Sequence, residues 1–219
     1  MKHRERRYGL ASLCLALFLS ACGGEGYEGV RNLHSFGQTI ICFGDSLTEG
    51  VGADPGRDYP SVLSRKLGFP IHNAGRRGDT TAAALERLSR DVLDKNPRLV
   101  VVLLGGNDFL RQVPLKETEK NLAAIIERIQ TRGAMVVLAG LRLGLLTDRY
   151  GSLFEELAKQ HGALYVPQVT KGIFSDAKLK SDAIHPNAAG YQLIAERIAE
   201  KITPLLAAAD RKKGGSGSG

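Results

Sequence analysis

Five short apolar runs punctuate this chain: Ile40 to Phe43, Phe69 to Asn73, Leu99 to Leu104, Met135 to Leu141 and Ala163 to Val166. They are mostly rich in Val, Ile and Leu and do not alternate with polar residues, as expected of strands covered on both faces. Between and after them, Tyr59 to Leu67, Thr81 to Leu93, Glu117 to Gln130, Tyr150 to Gln160 and Asn187 to Leu206 place apolar residues at spacings of three and four. That is the period of helices burying one face. Strand followed by helix, repeated along the chain, predicts an α/β protein: a three-layer α/β/α sandwich around a five-stranded parallel sheet. Thr80 and Ser152 are expected helix caps, and Pro204 is placed to end or bend the last helix.

The ends of the chain follow another pattern. Lys2, Arg4, Arg6 and Arg7 precede an apolar stretch, Leu10 to Leu19, that is too short to span a bilayer, and Leu19-Ser20-Ala21-Cys22 follows it. This arrangement resembles the lipobox of bacterial lipoproteins. The resemblance implies removal of residues 1–21, lipidation of Cys22 and a lipid-anchored location in the cell envelope. Gly23 after the cysteine implies the outer membrane, facing the periplasm. Residues 22–37, glycine-rich and polar, are expected to form a flexible tether, residues 38–208 the folded domain, and residues 209–219 a disordered tail ending in a linker-like Gly/Ser run.

With 219 residues, 43% hydrophobic and 24% charged, there is material for one domain. The formal charge of +7 falls to about +4 without the leader, and the remaining cations are interleaved with acids, so no nucleic-acid partner is expected. Cys42 would be the one unmodified cysteine left, buried in a strand, which excludes a disulfide framework within one chain.

Candidate chemistry sits at the carboxyl ends of the first three strands. The first runs into Gly44-Asp45-Ser46-Leu47, the second into Asn73 to Thr80, the third into Gly105-Gly106-Asn107-Asp108. Ligands bind at such ends in open parallel sheets. Far along the chain, Asp182-Ala183-Ile184-His185 supplies an acid and a base three residues apart. A hydroxyl nucleophile, a base, an orienting acid and donors for an oxyanion are the parts of acyl transfer. Singly, each has a bland reading: Ser46 as a helix cap, Asn107 as a turn residue, His185 as a surface turn.

Together these segments resemble the SGNH, or GDSL, hydrolases, within which the chain is most similar to the small bacterial arylesterase, thioesterase and lysophospholipase group. The likeness spans about residues 38 to 207 and implies the flavodoxin-like fold of that family. It implies Ser46 as nucleophile, His185 as general base and then acid, and Asp182 as its orienting partner. The implied oxyanion donors are the backbone N–H of Ser46, that of Gly78 and the side-chain amide of Asn107. No cofactor or metal is implied, and the substrate would be a small-molecule or lipid ester.

Arg76 and Arg77 depart from the small or apolar residues common in those relatives; they are expected to face solvent, the alternative being that they steer acidic substrates toward the site. Asp45, Asp79 and Asp108 are expected to accept hydrogen bonds in turns. Leu110, Val113, Leu115, Leu145 and Leu146 are candidates for lining an acyl site. Alternatives are an O-acetyl esterase acting on envelope glycan, a phosphoesterase holding a metal on Asp45, Asp108, Asp182 and His185, and a noncatalytic binding lipoprotein.

Overall fold

The computed structural model describes residues 26–141 and 148–214. Five strands, β1 (Thr39–Gly44), β2 (Ile71–Gly75), β3 (Pro97–Leu103), β4 (Met135–Ala139) and β5 (Leu164–Val166), alternate with helices. These are α1 (Ser46–Glu49), α2 (Tyr59–Leu67), α3 (Thr81–Asp91), α4 (Gly106–Leu110), α5 (Leu115–Thr131), α6 (Asp148–His161) and α7 (Ala188–Gly214). The strands pair in parallel in the order β2-β1-β3-β4-β5. The sheet therefore grows in opposite directions from β1, and the switch between β1 and β3 opens a crevice at their carboxyl ends.

The absence of alternation in the apolar runs has a direct cause. Along β3, Leu99, Val101 and Leu103 pack in the layer with Tyr59 and Leu63 of α2 and Ile194 and Ile198 of α7. Val100 and Val102 point the other way, against Leu88 of α3, Ile125 of α5 and Phe154 of α6. Side chains on both faces are removed from water, each aliphatic one contributing about 1.5–3 kcal/mol. The helix caps are local: the carboxylate of Asp58 accepts from Ser61 N at 2.9 Å at the start of α2, and Thr80 Oγ1 accepts from Ala83 N at 3.3 Å at the start of α3.

Four expectations need correction. Ser152 lies inside α6 rather than capping it. Pro204 does not end α7, which continues through it to Gly214; Leu205 and Ala209 beyond it are fully buried, and their packing offsets the lost backbone hydrogen bond. Residues 209–214 are consequently helical rather than a disordered tail, with Asp210 paired to Arg98 of β3.

The segment expected to be a tether is fixed from residue 26 onward. Tyr27 and Leu33 are buried in the α2/α7 layer, and Asn32 Nδ2 donates to the carbonyls of Gln130 and Ala134 at 2.8 and 3.0 Å. Its glycines suggested freedom, but two apolar anchors and an amide clamp hold it. The expected leader, Cys22 and the Gly/Ser end from residue 215 lie outside the described residues. Among the described residues, no helix is long and apolar enough to cross a membrane.

Candidate active site

The end of β1 is built for close approach. A Cβ on Gly44 would lie 2.0 Å from Thr48 Oγ1 and 2.5 Å from the Leu103 carbonyl oxygen, so only glycine lets the chain turn there. Gly75, paired with Gly44 across the β1/β2 ladder, is similarly confined: its Cβ would meet Glu49 N at 2.1 Å. Asp45 then caps α1 by accepting from Leu47 N at 3.0 Å, and Ser46 opens this single turn. The Ser46 N–H, at the first helical position, has no intrahelical acceptor.

Ser46 Oγ lies 3.1 Å from His185 Nε2, and His185 Nδ1 lies 2.8 Å from Asp182 Oδ2. The 139-residue separation in sequence is thus closed by the fold. Asp182 shapes the turn as well as the ring, since its other oxygen, Oδ1, accepts from Ile184 N and His185 N, each at 2.8 Å. The His185 ring contact and these N–H groups hold the Asp182 carboxyl down to about 2, although its side chain is 53% exposed. Ser181 N donates to the His185 carbonyl at 2.9 Å and closes the turn at its base. Tyr191, one turn into α7, donates from its hydroxyl to Val51 O at 2.8 Å, bracing the histidine segment against the chain that follows Ser46.

Asn107, in the first turn of α4, lines the same cavity as Ser46 and His185. Its Nδ2 donates to Asp79 O at 2.9 Å and more loosely to Asp45 Oδ2 at 3.3 Å. Gly78 sits beside Asp79 at φ +79°, in the left-handed region that favours glycine, and its carbonyl accepts from Arg111 Nη2 at 2.8 Å. Gly78 is not among the residues lining the cavity; the bond from Asn107 to Asp79 O ties its loop to the site.

The cavity measures about 200 Å³ and is walled by Leu47, Phe109, Leu110, Phe174 and Ile184. Of the proposed acyl-site residues only Leu110 lines it; Val113 and Leu115 do not, and Leu145 and Leu146 fall outside the described residues. Sequence spacing missed Phe174 and Ile184, although Ile184 lies directly before His185. A larger cavity of about 590 Å³, walled by Glu28, Asn32, Phe36, Asn96 and Arg132, holds none of the site residues.

The carboxylates expected to accept hydrogen bonds do so: Asp45 locally, from Leu47 N, and Asp79 and Asp108 over longer range than a turn. Asp108, fully buried, accepts from Thr81 N at 2.9 Å and Thr81 Oγ1 at 2.5 Å, fastening α4 to α3. Asp79 accepts from Arg87 Nε at 2.5 Å. Asp45 is 2% exposed, and that burial pushes its carboxyl up to about 7 despite the Leu47 N–H. Among the described residues, no group of three or more His, Cys, Asp or Glu side chains is placed to hold a metal, so Asp45, Asp108, Asp182 and His185 do not form the alternative centre.

Arg76 and Arg77 are exposed. Burial pushes the Cys42 thiol up to about 12, in keeping with a buried hydrophobe. Arg87 lies in the stretch Thr81 to Leu93, where the helical period leads one to expect charged residues on the wetted face, yet it is 5% exposed. The signal was present in the spacing, because Thr81, Ala84, Arg87 and Leu88 share one helix face.

The model of the GDSL-like Lipase/Acylhydrolase family matches residues 42–193. The chain is similar to the esterase TesA of Pseudomonas aeruginosa, 29% identical over 180 residues that cover 77% of this chain and 90% of that protein. It is 28% identical over 176 residues to the thioesterase 1/protease 1/lysophospholipase L1 of Escherichia coli K12, covering 77% and 85% of the two chains. The crystal structure of TesA superposes with a TM-score of 0.72 at 30% identity, over 77% of this chain and 100% of that one. More distant likenesses are to the lipoprotein YqeF of Bacillus subtilis, 33% identical over 58% of this chain and 54% of that protein, and to an acetylxylan esterase of Geobacillus stearothermophilus, 23% identical over 84% and 90%.

Proposed function

We propose, for a chain that belongs to the GDSL-like lipase/acylhydrolase family, that its ester hydrolysis runs through an acyl-enzyme on Ser46. The observation carrying this is the hydrogen-bonded line Ser46 Oγ, His185 Nε2, His185 Nδ1, Asp182 Oδ2, at 3.1 and 2.8 Å, opening into an apolar cavity. His185 Nε2 takes the Ser46 proton as Oγ attacks the ester carbonyl carbon. The oxyanion so formed accepts from the Ser46 N–H, the Gly78 N–H and Asn107 Nδ2, the last exchanging its loose 3.3 Å bond to Asp45 for a stronger one. His185 then protonates the departing alkoxide or thiolate. Water, deprotonated by the same nitrogen, attacks the acyl carbon, and the acid leaves as Ser46 regains its proton.

A fluorophosphonate probe is expected to label Ser46 in the folded wild type and not in Ser46→Ala. A folded wild type that stays unlabelled would overturn the acyl-enzyme. For the acyl part, a cavity of about 200 Å³ favours short chains, and nitrophenyl esters from acetate to laurate are expected to be cleaved fastest at the short end. The relatives named for thioesterase and lysophospholipase activity make acyl-thioesters and lysophospholipids the parallel substrates to assay. The small cavity and the likeness to an acetylxylan esterase also support a second reading, removal of O-acetyl groups from envelope glycan. Acetate release from glycan without cleavage of longer esters would select it.

The anchor belongs to the same proposal. The expected leader of residues 1–21, directly before Cys22, and the likeness to a lipoprotein support an envelope-associated enzyme tethered by lipid on that cysteine, with Gly23 favouring the outer membrane. Cys22→Ala is expected to leave the membrane fraction; retention there would refute the anchor.

A further inference from the structure

We infer that Arg87, a helix residue outside the catalytic set, is the positioning residue of the oxyanion hole. The inference rests on the acyl-enzyme reading above and concerns how its donors are held in place. Arg87 projects from α3 into the space under the crevice and is 5% exposed. Its Nη2 donates to the Gly44 carbonyl at 2.8 Å, two residues before Ser46. Its Nη1 donates to the Ala74 carbonyl at 2.9 Å, where β2 leads into the Gly78 loop, and to Asp91 Oδ2 at 3.0 Å. Its Nε donates to Asp79 Oδ2 at 2.5 Å, and the cation lies 4.6 Å from the Phe43 ring centre.

These partners map onto the three oxyanion donors. Gly44 precedes the turn that presents the Ser46 N–H. Asp79 is bonded to Gly78. The Asp79 carbonyl holds the Asn107 amide at 2.9 Å. One planar guanidinium, with four of its five donors engaged, thus fixes the relative placement of segments that start from β1 and β2 and meet the amide from α4. A lysine could not do this, since a single ammonium cannot reach carbonyls and a carboxylate arranged around a fork. Burying such a cation is costly, and an apolar side chain would fill the space more simply. Geometric control of the hole explains why the fork is there.

The test is Arg87→Lys in the full chain, assayed on a short nitrophenyl ester, with thermal melting to confirm the folded fraction. A donor displaced by about 1 Å costs on the order of 100-fold. The expected result is a kcat about 100-fold lower per folded molecule with KM within threefold, and fluorophosphonate labelling slowed in parallel, because phosphonylation develops charge in the same hole. In the Asn107→Ala background, where one donor is already gone, Arg87→Lys is expected to cost much less than in wild type.

A purely structural role predicts a lower melting temperature with normal kcat per folded molecule, or effects that multiply with Asn107→Ala; either overturns the inference. Should Arg87→Lys not fold, Asp79→Asn, which keeps the carbonyl that holds Asn107, must show the same split. Failure of both variants to fold would assign the cluster to folding alone and also overturn it. An unlabelled wild type would sink the acyl-enzyme and this inference together, whereas a labelled wild type with unaffected Arg87→Lys sinks this inference only.

Discussion

Asp182→Asn isolates one contact. Asparagine keeps an oxygen for the Ile184 and His185 N–H groups, both at 2.8 Å from Asp182 Oδ1, so the turn is retained. What changes is the 2.8 Å contact to His185 Nδ1, where a carboxylate becomes a neutral amide. An imidazolium and a carboxylate about 3 Å apart attract by about 1.4 kcal/mol under water-like screening and about 5.5 kcal/mol at an effective dielectric of 20. The Asp182 side chain is 53% exposed, which places the pair toward the water end. About 1.5–3 kcal/mol of transition-state stabilisation should therefore be lost, a fall in kcat of roughly 10- to 100-fold. That is well short of the ~10⁴-fold loss when a triad acid is buried. The assay is steady-state hydrolysis of a short nitrophenyl ester, with KM expected to be unchanged. A kcat within twofold of wild type would remove Asp182 from the mechanism. A loss beyond about 10³-fold would refute the screening argument, because the pair would then have to be dry during turnover.

Asn107→Ala should lower kcat by about 10²–10³-fold with little change in KM, since it deletes one of the proposed oxyanion donors; an equal rise in KM would mean a ground-state contact instead. Asp45 is raised from 3.8 to about 7 by burial, so between those values the folded state keeps a proton that the unfolded chain has lost. Wild type should lose stability relative to Asp45→Asn by up to ~1.4 kcal/mol per pH unit across that window, and no further above it; denaturant melts showing a constant gap from pH 4 to 8 would contradict this. Gly75→Ala must force a Cβ to within 2.1 Å of Glu49 N and should destabilise the fold by roughly 1–3 kcal/mol, and an unchanged melting temperature would show that the β2 end moves freely away from α1.

Particular residues show why some features were readable and others not. The unalternating run Leu99 to Leu104 announced a strand buried on both faces, because burial on two sides demands apolar side chains at every position. Ser46, Asn107, Asp182 and His185 stood out because polar residues at strand ends or in a tight turn have few structural reasons to be there, and the resemblance supplied their roles. Pro204 and the glycines of residues 26–37 misled in the same way: each is a breaker by local preference, and each is overruled by buried neighbours such as Ala209 and Leu33. Arg87 was hidden by its charge, which in a helix ordinarily means solvent.

By itself the sequence determined the order of strands and helices and the chemical types available for the site, since these follow from local periodicity and side-chain identity. Only the tertiary structure decided that β1 lies between β2 and β3, that Asp182 is half exposed while Asp45 is sealed, and that Phe174 and Ile184 wall the cavity beside Ser46. Distances, dielectric surroundings and close approaches arise where segments remote in the chain meet, and the 3.1 Å between Ser46 and His185 exists only because the sheet brings them together.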